Sequence, residues 1–170
     1  MPRTYDLISS NTLSSTSSSV SFTGISSVFT DLVLSVSASG SSGGLDVRLR
    51  FNSDTGSNYS YTYLSGYTSA TSGRSANATY IQATNFVGLG GTTAESNTLR
   101  LDINKANNTS AHKQIIMRNH TIRHIDAYRE VMLFSGQYRS LSAISAIEIY
   151  VPAGTFAVGS IFSLYGIQAA

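Results

Sequence analysis

Few residues in this chain have the type and spacing needed for chemistry. Asp54-Thr55-Gly56-Ser57 spells the signature of an aspartic protease. That chemistry needs two carboxylates sharing one proton across a symmetric site. The chain holds one copy, so only a homodimer would complete it, and Asn52-Ser53 stands where an apolar strand end would be expected. A loop using Asp and Gly for backbone reasons is therefore the reading taken. His112, His120 and His124 are close in sequence, with the last two at i, i+4. A zinc site would want further ligands on a fixed frame. The surrounding residues keep no helical period, and HExxH is absent. These histidines are read as facing solvent or a subunit, and no metal or other cofactor is expected. No GxSxG, P-loop or GxGxxG string stands out, so no enzyme is expected.

Two further sets suit binding rather than catalysis. Tyr59, Tyr61 and Tyr63 alternate with Ser60, Thr62 and Leu64 and share one strand face. Exposed, they would stack on sugars or anchor a partner, with Tyr67 in the polar run after them. Buried, they would line a core with their hydroxyls at its rim, and this second reading is favoured. In the second half of the chain the stretch 105–139 is basic, with Lys105, Lys113, Arg118, Arg123, Arg129 and Arg139 against Asp126 and Glu130. The basic residues are scattered without aromatic interleaving, so nucleic acid is not expected. Docking on an acidic protein surface suits them better. Candidate contact residues are thus Tyr59, Tyr61, Tyr63, Tyr67, Arg118, Arg123, His120 and His124.

The elements that must position these residues read as strands. Leu45, Val47, Leu49 and Phe51 alternate with Asp46, Arg48, Arg50 and Asn52, and the turn formers 52–57 lead into the tyrosine run. The spacing predicts a β-hairpin over 45–64. Leu32–Val36, Leu99–Ile103 and Ile144–Val151 are further strands, as are shorter runs near Tyr5–Ile8, Val20–Phe22, Ala78–Ala83, His112–Met117 and Tyr128–Gly136. Ser160–Ile167 is apolar on both faces and predicts a doubly covered strand. Residues 9–19 and 66–77 read as polar loops, and 85–91 as irregular. Ser140–Ala146 is the one stretch with room for a helical turn. No internal repeat stands out.

Composition agrees. Charged residues are only 12% of the 170, about half the usual share. Ser, Thr, Asn, Gly and Tyr take their place, which suits strands and loops over helices. There is no cysteine, and the net charge is +2. The first residues lack the apolar run of a secretory leader, and no run is long enough to span a bilayer, so no membrane association is expected. The expected fold is all-β: one domain, a two-sheet β-sandwich of jelly-roll type with about eight to ten strands. An up-and-down barrel is the alternative. Residues 1–19 would be a flexible arm or first short strand, and 20–170 the sandwich.

Phe22–Ile25 (FTGI), Thr30–Leu34 (TDLVL), Leu49–Leu64 (LRFNSDTGSNYSYTYL) and Gly159–Ile167 (GSIFSLYGI) together resemble small structural proteins of tailed phages of aquatic bacteria. The likeness spans nearly the whole chain in order. It implies a virion component assembled in the host cytoplasm: a capsid decoration or cement protein bound to the outer shell. The partners implied are the major capsid protein or other virion proteins, with a homotrimer ahead of a dimer. The alternative is a tail-fibre or receptor-binding sandwich contacting host glycan. The resemblance carries over no catalytic residue.

Overall fold

A computed structural model describes residues 5–40, 45–87, 97–123 and 128–168. Twelve strands and no helix occur among them. They are β1 (Asp6–Thr12), β2 (Ser19–Thr23), β3 (Asp31–Ala38), β4 (Leu45–Phe51), β5 (Tyr59–Gly66), β6 (Ala70–Ala78), β7 (Ile81–Val87), β8 (Asn97–Asn104), β9 (Lys113–Arg123), β10 (Tyr128–Tyr138), β11 (Ala146–Tyr150) and β12 (Ile161–Ile167).

Two antiparallel sheets face each other. The larger runs β1-β12-β3-β8-β9-β10-β5-β6, and the smaller β2-β11-β4-β7. Take away β5, β6, β9 and β10. The remaining strands then interleave as 1-12-3-8 opposite 2-11-4-7, the strand order of a jelly roll. The other four are two antiparallel hairpins. β5–β6 is inserted between β4 and β7, and β9–β10 between β8 and β11. They widen only the larger sheet.

Alternation made these strands, and the core lies between their dry faces. Leu32, Leu34 and Val36 of β3 join Leu99, Leu101 and Ile103 of β8 and Phe162 and Leu164 of β12 beside them, and Leu49 and Phe51 of β4 opposite, in one buried cluster. The predicted doubly covered strand, β12, lies between β1 and β3 in the larger sheet. Its inner Phe162 and Leu164 are fully buried, while Ile161 at its start is 43% exposed.

The run 45–64 is not a hairpin. β4 belongs to the smaller sheet and β5 to the larger, so the turn formers between them carry the chain across the sandwich. Asn52 and Ser53 take the left-handed conformation at this corner. Alternation told which face of each strand was dry. It did not tell that the two dry faces meet across the core and not side by side in one sheet. The Tyr59 hydroxyl accepts the Phe51 N–H at 3.0 Å, and its ring stacks on Tyr138 with centroids 4.9 Å apart.

Three loop expectations also change. Much of 66–77 is strand: β6 is an edge strand, wet on both faces, so no apolar period marks it. Tyr63 packs its ring on Gly73, directly opposite. Residues 9–19 are tied down by backbone groups. Part of the run pairs with β12; beyond it Leu13 bonds Ser160 and Gly159, and Ser17 bonds Phe156. Ser140–Ala146 forms no helix; Ile144 is buried, with its N–H on the Ala106 carbonyl. The irregular reading of 85–91 fails over β7, and its remainder lies outside the described residues.

Candidate interaction face

Asp54 has a structural task. Its carboxylate accepts the Gly56 N–H at 2.7 Å, the Asn58 amide at 2.8 Å and the Tyr138 hydroxyl at 3.0 Å. Burial pushes the carboxyl up, but these bonds from Asn58, Gly56 and Tyr138 outweigh it and hold the group below its usual value. The carboxylate thus fastens the β4–β5 corner. Among the described residues, no three His, Cys, Asp or Glu side chains come close enough to hold a metal ion.

The tyrosine row points inward. Tyr59 is fully buried, so as a contact residue it is corrected: it offers no surface to a partner. Burial is the main reason its phenol is pushed well above the ordinary tyrosine range. Tyr61 and Tyr63 are half-buried on the same inner face, beside Phe134. Tyr67 is exposed beyond the end of β5. Arg118 and His120 stand exposed on the outer face of β9, two residues apart. The Arg123 side chain and all of His124 lie outside the described residues, as does the i, i+4 histidine pair.

The outer face of the larger sheet can be followed across its strands. One row runs Ser35–Arg100–Arg118–Leu133–Leu64 from β3 to β5. The next runs Ser37–Thr98–His120–Val131–Gly66. Leu64 and Val131 are each 59% exposed, and Leu133 is 49% exposed. Ile116, two residues before Arg118 on β9, adds a fourth exposed apolar side chain. The sheet here is apolar on its outer face as well as its inner one, where Ile115, Met117, Met132 and Phe134 are buried, and its inner face is polar at one end. Ser65, Asn119, Thr121 and Glu130 point inward and are buried, while apolar neighbours point out. The Ser65 hydroxyl bonds the Glu130 carboxylate, whereas the Asn119 amide has no partner. Ordinary half-buried strands do the opposite, hiding apolar residues and wetting polar ones.

Charge on this face is unbalanced. Arg100 grips Asp102 through Nε and Nη2, the shortest contact being 2.9 Å. Arg118 lies directly opposite Arg100, and no carboxylate of the described residues pairs with it. A hollow of about 290 Å³ lies here, its lining including Ser35, Thr98, Arg100, Arg118, His120 and Val131. A second, of about 460 Å³, lies farther along the sheet among Ser60, Thr62, Arg74, Gln114, Ser135 and Gln137. The smaller sheet is more self-contained on its outside. Arg48 stacks on Tyr80, Arg50 stacks on Tyr150, and Gln82 bonds Asp46.

Sequence reasoning named Arg118 and His120 but missed Leu64, Ile116, Val131 and Leu133. The signal was present. Val131-Met132-Leu133-Phe134 and Ile115-Ile116-Met117 are unbroken apolar runs, and on a strand such a run must put apolar side chains on both faces. Comparison with protein-family models, curated protein sequences and solved structures found no match to this chain.

Proposed function

We propose that this chain is a structural protein of a phage virion, a decoration or cement protein held on the outer capsid by protein–protein contact. One observation carries the reading: β5, β9 and β10 leave Leu64, Val131 and Leu133 exposed on the outer face with Arg118 and His120 beside them. An apolar patch flanked by polar residues is how a binding surface is built. The sequence resemblance to tailed-phage structural proteins supports the same reading. The mechanism is added interface between neighbouring shell subunits, multiplied by copy number, with no chemical step. Assembly as a homotrimer is favoured over a dimer, since such proteins sit at symmetric points of a shell. The glycan-contact alternative loses its stacking platform, because Tyr59 is buried and Tyr61 and Tyr63 face inward.

The test is copy number per purified virion, by quantitative mass spectrometry against the major capsid protein. A near-stoichiometric ratio supports the cement reading. A ratio of a few per cent refutes it and favours a tail position.

A further inference from the structure

The proposed function leaves open what the face recognises, and the following rests on that reading. We infer that the outer face of β8, β9, β10 and β5 binds an acidic segment of a protein partner. A carboxylate would sit between Arg118 and His120, with apolar side chains of the same segment on Leu64, Val131 and Leu133.

The geometry supplies each half. Arg118 and Leu133 are cross-strand neighbours, as are His120 and Val131. A single extended segment lying across the strands therefore meets Arg118 or His120 and then apolar side chains within two strand spacings, about 10 Å. Arg118 is placed opposite Arg100, and like charges directly opposite cost stability unless an anion intervenes. Arg100 is already committed to Asp102, which leaves the Arg118 guanidinium to take the anion. Its planar fork matches a carboxylate with two parallel bonds. The hydroxyls of Ser35 and Thr98 line the same hollow and add donors around it.

Charge also selects the occupant. A second copy docked face to face about a two-fold axis would bring this cationic strip near its own image. An acidic partner gains where a second copy pays. Covering the face would take the exposed apolar surface of Leu64, Val131 and Leu133 out of water.

The test uses the full chain and a synthetic peptide probe, acetylated Leu-Glu-Leu-Glu-Leu, followed by amide chemical shifts in nuclear magnetic resonance. Binding is expected to move the amides of Thr98, Arg118, His120, Val131 and Leu133 and to weaken with added salt. Arg118→Gln and Leu133→Ser should each weaken it at least about tenfold. Both side chains are exposed, so the variants should keep the parent melting temperature. Leu141→Ser, on an exposed residue off this sheet, should change nothing. The proposal is overturned if the peptide does not bind, or if it binds both variants as tightly as the parent. It is overturned equally if vesicles of phosphatidylglycerol bind where the peptide does not. Self-association that Leu133→Ser abolishes, without peptide binding, would assign the face to a second copy and refute it too. A stoichiometric copy number without peptide binding would refute this surface alone. Peptide binding with few copies per virion would refute the capsid reading alone.

Discussion

Replacing Tyr59 by Phe isolates the device that turns the chain from one sheet to the other. The ring would stay, stacked on Tyr138 and 6.1 Å from Phe51. Only the hydroxyl would go. It accepts the Phe51 N–H at 3.0 Å and points at the Asp54 carbonyl at 3.2 Å. Phe51 is fully buried, and no water reaches it to replace the lost oxygen. An orphaned buried N–H costs roughly 1–3 kcal/mol, so a loss of about 2 kcal/mol is expected. In a domain of this size that lowers Tm by roughly 4–8 °C. Urea unfolding followed by circular dichroism measures it, with an unchanged m-value expected because no new surface is exposed in either state. Tyr138→Phe removes a second bond to the same corner, through Asp54, so the two losses should not add. A Tyr59→Phe protein within about 0.3 kcal/mol of the parent, the usual error of additivity, would refute the idea that the phenol stands in for a strand partner.

Other expectations follow from single contacts. Gly166→Ala would place a methyl 2.2 Å from the Phe29 ring, so the ring must move. Overpacking of this kind costs about 1–3 kcal/mol, and thermal melts should show most of it vanish in a Phe29→Ala background. Asp54→Asn should cost about 1 kcal/mol by weakening the corner's hydrogen bonds. Because the folded Asp54 value is depressed, its contribution is present above the ordinary carboxyl range and lost as pH falls through the folded value. An acid titration of stability should therefore flatten in Asp54→Asn. At the alkaline end the sign reverses. Tyr59 and Tyr138 are raised mainly by burial, so unfolded tyrosines release protons first, and stability falls as pH rises above about 10. Phenolate absorbance at 295 nm should rise in two steps, the second coinciding with loss of the β-sheet circular dichroism signal. A single smooth step in the folded protein would contradict the burial of Tyr59.

The fold was legible where one face of a strand is dry. β3, β4 and β8 carry plain alternation, and each is a strand where the alternation put it, while apolar runs marked β11 and β12. β6 was illegible because an edge strand wet on both faces has no dry side to mark it, and its anchor, the Tyr63 ring over Gly73, is a cross-strand fact. The partnership of β4 and β5 was misread for a related reason: alternation is blind to which sheet a strand joins. The candidate face was half legible. Arg118 and His120 stood out by type, whereas Leu64, Val131 and Leu133 are the residues one assigns to a core. Their unbroken apolar runs told that both faces are apolar, but not which members face out; the buried Glu130 and Asn119 beneath them show it.

The two inserted hairpins bear on how such a protein changes over generations. The eight strands that interleave as 1-12-3-8 and 2-11-4-7 close without them. Within the larger sheet β9–β10 joins the framework through β8 and β5–β6 joins through β10, while the inward side chains of both pack in the common core. Outward side chains such as Leu64, Arg118, His120, Val131 and Leu133 are exposed, so substitutions there meet little folding constraint. A lineage could then redraw its docking surface to follow a drifting partner while the framework beneath stays under the tighter selection that packing imposes.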